Sequence, residues 1–160
     1  MKWDEIIPDS AWVVENLLTP DECERFLSAA ERAGIAESPS SGDSRYRDSV
    51  SVSVDDEEMA DRVFERIRQH LPQEVRVDER CRNDGLRHSG KDLYGTWTPC
   101  GLNRTWRVAC YPGRGHFGPH RDGCRTEDRH RRSLLTINGY LTDRPVGFGG
   151  ATRFVRDDLA

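Results

Sequence analysis

No apolar run in the chain approaches the roughly 18 residues that a membrane-spanning helix needs, and no basic-then-apolar stretch opens it. Neither a membrane span nor a secretory leader is expected, and a cytoplasmic or nuclear location is. Cysteine is sparse: Cys23, Cys81, Cys100, Cys110 and Cys124 make an odd set with no Cys-x-x-Cys pair. That pattern argues against a zinc knuckle or a disulfide framework and for a reducing compartment. A surplus of positive charge is missing too. The formal net charge is −4, so no global pull toward nucleic acid or acidic membranes is expected. The Arg-rich stretch 121–132 is interleaved with Asp122, Glu127 and Asp128 and reads as a solvated loop. The glycines of Gly147-Phe148-Gly149-Gly150 precede neither a Lys-Ser/Thr pair nor a helix, which excludes a phosphate loop. No internal repeat and no linker divides the 160 residues. They are enough for one domain with a real but modest core, since 35% of residues are hydrophobic and 32% charged.

What is present begins with a helix signal. Residues 11–18 read as a strand leading into it. Thr19 is a good N-cap, Pro20 suits the first helical position, and Glu22 completes a capping box. Cys23, Phe26, Leu27 and Ala30 then recur at i, i+3, i+4 and i+7, and Gly34 is a natural stop. Residues 38–48 form a polar loop, either a mobile lid or a disordered connection. Val50, Val52 and Val54 alternate with serines as in a strand. Asp55 or Asp56 caps a second helix with an apolar face of Ala60, Val63, Phe64, Ile67 and Leu71, ended by Pro72. His70, at that end, reads as a capping or surface histidine. Residues 78–99 are loop-rich, with Tyr94 and Trp97 placed to cover a core edge and His88 exposed.

Residues 104–122 hold the densest chemistry. They read as a strand, a tight Tyr111-Pro112-Gly113 turn, and a second short strand from Phe117 to Asp122. In a strand, residues i and i+2 share a face, so His120 and Asp122 project side by side with Arg121 turned away. An imidazole and a carboxylate on one rigid face are two thirds of a 2-His-1-carboxylate triad, which holds Fe(II) and leaves other positions open. The bland alternative is a surface histidine beside a solvated aspartate, and a His-x-Asp pair alone does not decide between them. A further strand at 133–141 places Leu134, Thr136, Asn138 and Tyr140 on one face. A glycine-rich bend then feeds a last strand at 151–155.

The order helix, helix, strand with Tyr-Pro-Gly, His-x-Asp, charged loop, Ser-Leu-Leu-Thr-x-x-x-Tyr-Leu and Gly-Gly-Ala-Thr-Arg-Phe resembles the prolyl 4-hydroxylase-like group of Fe(II)/2-oxoglutarate-dependent dioxygenases. The resemblance spans Trp12 to Phe154 and is densest from Gly101 onward. It implies a mainly β fold with N-terminal helices (α+β): a double-stranded β-helix, a jelly-roll or cupin-like barrel. The helical support would occupy about residues 1–75 and the barrel core about 100–160 of a single domain. It implies His120 and Asp122 as iron ligands, Tyr111 as a pocket tyrosine near the cosubstrate, and Tyr140 as the tyrosine whose hydroxyl reaches the distal carboxylate of 2-oxoglutarate. Asn138 and Thr136 share the Tyr140 face as further pocket residues. For either tyrosine the plain alternative is a core residue with a satisfied hydroxyl. Arg153 suits a structural or substrate-side role. Fe(II), 2-oxoglutarate and L-ascorbate are the implied cofactors. O2 and a peptide side chain or small molecule are the implied substrates, with no nucleic-acid or membrane partner.

The resemblance also implies a second histidine on a later strand, followed by a Lys or Arg that pairs with the distal carboxylate. No histidine follows His130, and neither His116 nor His130 fills that place convincingly. The expectation is therefore a C-terminally incomplete member lacking its last barrel strands. The alternatives are a non-catalytic member acting as a binding module or a non-functional fragment, and a zinc or manganese cupin, which would want more histidines.

Overall fold

The structure is a computed structural model that describes residues 1–8, 10–37, 45–78, 94–145 and 147–155. His88, Cys81 and much of the expected loops at 38–48 and 78–99 lie outside those residues. The chain opens on a hairpin of β1 (Lys2–Ile7) and β2 (Ala11–Glu15), with Trp3 opposite Val14 and Glu5 opposite Trp12. The sequence reading finds β2 but not β1, whose alternation is weak. Trp3 stacks on His70 with ring centroids 4.8 Å apart, which ties the hairpin to the end of the second helix. His70 is thus an exposed surface histidine with one covered ring face.

Helix α1 (Pro20–Arg32) starts as its capping box requires. The Glu22 amide donates to Thr19 Oγ1 at 3.2 Å, and the Thr19 amide donates to Glu22 Oε2 at 2.9 Å. Phe26 and Ala30 are buried. The chain leaves at Gly34, whose φ of 75° suits a residue without a Cβ. Helix α2 (Glu57–Ile67) is capped by Asp56, which accepts from the Met59 amide at 3.0 Å; Asp55 belongs to the preceding strand. Its buried face is Met59, Ala60, Val63 and Ile67. The α-helix ends before Leu71, in a single 3₁₀ turn at Arg68–His70. Pro72 disfavours helical backbone at Leu71, which is extended at ψ 151°.

Strand β3 (Val50–Asp55) pairs antiparallel with β6 (Thr105–Cys110), setting Val50 against Cys110, Val52 against Val108 and Val54 against Trp106. Both helices pack on one face of this pair. Phe26, Ala30, Met59, Val63 and Val108 form the buried cluster, flanked by Val52, Val54, Leu102, Trp106 and Leu141. The Phe26 and Trp106 rings lie 5.1 Å apart. A third small pair, β4 (Val75–Val77) with β5 (Gly95–Trp97), completes the described strands. Trp97 is half-buried and Tyr94 exposed.

The architecture is therefore α+β: two helices with small antiparallel sheets. Among the described residues no closed barrel forms. The strands expected at 117–122, 133–141 and 151–155 do not form ladders; two isolated bridges, Arg47 with Phe117 and Thr126 with Arg132, stand in that half of the chain. Alternation marks a segment fit for a strand, but a strand exists only where a partner takes its backbone groups. Among the described residues, no helix is long and apolar enough to cross a membrane.

One ion pair fastens the helical half. Arg66 of α2 grips Glu22 of α1 with both terminal nitrogens, at 2.7 and 2.8 Å, and donates to the Leu17 carbonyl at 2.8 Å. Glu22 is only 8% exposed. The Arg66 hydrogen bonds, opposed by burial and aided by the Thr19 amide, lower the Glu22 carboxyl from about 4.5 to about 2. A carboxyl lowered on folding contributes stability that is complete above its unfolded value and lost as pH falls toward the folded one. Glu22→Gln is expected to cost about 1–3 kcal/mol at neutral pH. Its stability should also depend less on pH between about 4.5 and 2 than that of the parent. Urea denaturation across that window checks both; parallel curves for the two proteins would contradict the assignment.

Candidate metal centre

The ladder of β3 and β6 extends past their ends and builds the site. Continued without a break, its register would set Pro112 opposite Asp48. Instead His116 stands there: the Asp48 amide donates to the His116 carbonyl at 2.8 Å, and the His116 amide donates to the Asp48 carbonyl at 3.1 Å. Residues 111–114 make the excursion between. Gly113 takes a φ of 61°, and the Gly115 amide closes the loop on the Pro112 carbonyl at 2.9 Å. Pro112 has no amide proton to continue the ladder, which fits its place in the excursion. The segment after Tyr-Pro-Gly therefore does not turn back as a new strand. It resumes beside the same partner, and the Gly118 amide donates to the Tyr46 carbonyl at 2.6 Å.

Gly115 and Gly118 permit this contact. A Cβ on Gly115 would lie 2.6 Å from the Asp48 carbonyl oxygen, and one on Gly118 would lie 2.9 Å from the Tyr46 ring. The Gly118 carbonyl then accepts from His120 Nδ1 at 2.8 Å. A carbonyl only accepts, so Nδ1 carries the proton and Nε2 is turned outward. Nε2 lies 3.3 Å from Asp122 Oδ1. The structure thus brings His120 and Asp122 together, as the i, i+2 spacing implies, although the backbone there is not a strand. Nε2 can meet that carboxylate with a second proton, as an ion pair, or through a cation that both atoms bind. Two donors about 2.1 Å from one ion lie about 3.0 Å apart at a right angle and about 3.4 Å apart at the tetrahedral angle. The observed 3.3 Å lies within that range and equally within that of a direct ion pair. The imidazole side chain is 29% exposed and the carboxylate 48%, so the site opens to solvent.

The other candidates lie as follows. His116 Nε2 bonds the Arg45 carbonyl at 3.0 Å, and His130 Nε2 accepts from Arg129 at 2.9 Å. Among the described residues no group of three His, Cys, Asp or Glu side chains gathers to hold an ion. Tyr111 is half-buried in the excursion. Tyr140 is 64% exposed, and its hydroxyl is bonded to Thr152, at 2.5 Å to Oγ1 and 3.0 Å from the amide. Asn138, Thr136 and Arg153 are exposed.

Three neighbours escape the sequence reading. Phe117 stacks on the His120 ring with centroids 3.7 Å apart, Tyr46 meets Phe117 edge-on at 5.5 Å, and the Arg47 guanidinium carbon lies 4.4 Å from the Phe117 centroid. Tyr46 and Arg47 sit in what reads as a polar loop. Only the long-range pairing with residues 116–118 gives them a place, and no spacing within the sequence encodes it.

No protein-family model, no curated protein and no solved structure matches the chain.

The close approach at Gly115 yields a direct test. Gly115→Ala must displace backbone at Asp48 or Tyr111 and is expected to destabilise the chain by about 1–3 kcal/mol, the usual range for overpacking. Thermal or urea denaturation measures it; unchanged stability would mean that Asp48 and His116 are not paired in this way.

Proposed function

We propose that this chain is an iron- and 2-oxoglutarate-dependent dioxygenase domain of the prolyl 4-hydroxylase-like kind, in which His120 and Asp122 are two of the iron ligands. The observation that carries the reading is the fixed imidazole: Gly118 holds Nδ1, and Nε2 faces Asp122 Oδ1 at 3.3 Å. A backbone acceptor on the second ring nitrogen is the usual support of a metal-bound histidine. The motif order from Trp12 to Phe154 adds the jelly-roll barrel as the proposed full architecture.

In this reading, bound iron and 2-oxoglutarate would supply the oxidation of a substrate C–H bond, with succinate and CO2 as coproducts and ascorbate maintaining the metal. The chain's own part is to hold and orient. His120 and Asp122 present adjacent donors, Phe117 covers one imidazole face, and Tyr111, Tyr140 and Asn138 are the proposed cosubstrate contacts. The substrate is a peptide side chain or a small molecule. A second reading, a catalytically inactive member that binds metal or a partner, is favoured by the openness of the site and by the two-residue donor set found among the described residues.

Anaerobic titration with Fe(II) or Co(II), followed by calorimetry, tests the site. His120→Ala and Asp122→Asn should each weaken binding by about tenfold or more, because each removes one of two donors. Equal affinity in all three proteins would overturn the assignment. The 160-residue chain supplied with Fe(II), ascorbate and 2-oxoglutarate should release succinate no faster than its His120→Ala variant, since the two donors found among the described residues do not by themselves fix a facial geometry. Release clearly above that control would place a third ligand within the chain and discard the inactive reading. Tyr140→Phe should weaken 2-oxoglutarate binding by about 0.5–3 kcal/mol if its hydroxyl leaves Thr152 for the ligand. An unchanged affinity would leave that hydroxyl a purely structural tie.

A further inference from the structure

The segment that follows Asp122 folds back on itself. Thr126 and Arg132 stand opposite each other in an isolated antiparallel bridge. The Ser133 amide donates to the Arg125 carbonyl at 2.9 Å, and the Glu127 amide donates to the Arg131 carbonyl at 3.0 Å. Ser133 Oγ accepts from the Arg125 amide at 2.8 Å, and Cys124 Sγ donates to the Ser133 carbonyl at 3.0 Å, which closes the base. At the tip, Asp128 Oδ1 accepts from the His130 amide at 2.6 Å. Residues 124–133 therefore form a hydrogen-bonded hairpin, where composition suggests only a solvated loop.

The hairpin carries charge against the trend of the chain. Four arginines and two acidic residues give residues 124–133 a formal charge of +2, while the whole chain carries −4 and the remainder therefore −6. Side chains directly opposite in an antiparallel pair share a face, and those one residue along take the other. Thr126 and Arg132 occupy one face, where Arg132 is half-buried. Arg125, Glu127 and Arg131 occupy the other, and all three are exposed. Asp128 is engaged by the turn, and Glu127 meets Arg131 only at 3.5 Å. Arg125 and Arg131 are diagonal neighbours across the two strands, a relation that separates residues by about 7 Å. Residues i and i+2 of an extended peptide are separated by about 7 Å as well.

A partner with carboxylates at that spacing complements the pair, because each guanidinium fork matches a carboxylate. A nucleic acid fits less well. Its phosphates carry negative charge along the whole strand, toward a chain that is acidic outside the hairpin. The hairpin begins two residues after Asp122, so its base lies within about 8 Å of the candidate centre along the chain. We propose that the exposed face of the 124–133 hairpin docks an extended acidic peptide, with Arg125 and Arg131 each taking one carboxylate of an acidic-x-acidic pair. Calling that peptide the substrate of the candidate centre rests on the dioxygenase reading; the docking itself does not.

Fluorescence anisotropy tests the docking, with the metal-free chain in EDTA at low ionic strength. The probes are a fluorescein-labelled Glu-Ser repeat peptide and its Gln-Ser counterpart. The chain should bind the Glu-Ser peptide about tenfold or more tightly than the Gln-Ser peptide, and added salt should shrink the difference. The double variant Arg125→Gln/Arg131→Gln should lose the preference. Arg125→Lys/Arg131→Lys should keep part of it, because it restores charge without the fork. Arg104→Gln/Arg107→Gln, at two exposed arginines at and beside the start of β6, should behave like the parent. Equal binding of the two peptides overturns the proposal, as does a preference that survives in the folded Gln double variant. Oligothymidylate bound more tightly than the Glu-Ser peptide overturns it too, in favour of nucleic acid. If the Gln double variant does not fold, the parent's backbone amide shifts decide. Changes on adding the Glu-Ser peptide must centre on residues 124–133, and changes centred elsewhere overturn the proposal. His120→Ala should bind the peptide as the parent does, so a failure of the metal reading, seen in the Fe(II) or Co(II) titrations, is distinguishable from a failure of the docking.

Discussion

Val50–Asp55 and Thr105–Cys110 pair across some fifty residues of sequence, and each end of that pairing has its own task. Its apolar face carries the core, where Val52, Val54, Trp106 and Val108 meet Phe26 of α1 and Met59 and Val63 of α2. Its far end, past the excursion of residues 111–114, sets Asp48 against His116 and thereby fixes Phe117, Gly118 and His120. A loop closure this long costs entropy before any contact returns it. Burial on the helix side offsets that cost, and the site is assembled as a consequence. The candidate centre therefore depends on the core although none of its residues belongs to it.

Electrostatics reinforce the same frame at two points. Glu22 and Arg66 join the start of α1 to the last turn of α2. Asp56 joins the cap of α2 to α1 through Arg25 at 2.7 Å, and its backbone takes the Trp106 indole proton at 3.2 Å and donates to the Arg104 carbonyl at 2.9 Å. Each acidic residue thus serves as a cap first and as a cross-link second. A cap is local and readable from sequence, whereas its second use depends on which basic side chain the fold brings near.

That division separates what was legible in the chain from what was not. Thr19, Pro20, Glu22 and Gly34 announce α1, and the alternating valines announce β3, because capping and periodicity act over a few residues. The i, i+2 spacing of His120 and Asp122 correctly brings their side chains together, yet the strand assumed beneath them does not form. The Gly118 carbonyl does that work. The apolar alternation at 133–141 has no ladder among the described residues, with Leu135 and Ile137 exposed and Leu141 alone reaching the core. β4 and β5 are only three residues each and β1 alternates weakly, so each exists through its partner and local pattern gives no warning of it. Arg47 and Tyr46 belong to a polar run whose position is set only by pairing with residues 116–118.

The central claim is that His120 and Asp122 share a cation, with His120 fixed by Gly118. Paramagnetic broadening of the protein's NMR signals by substoichiometric Mn(II) addresses it most directly, since the effect falls steeply with distance from the ion. The account predicts that the His120 ring and Asp122 signals broaden first, followed by Phe117 and Gly118. Broadening spread over acidic surface positions such as Glu57 and Glu58, with the His120 ring signals unaffected, would contradict it.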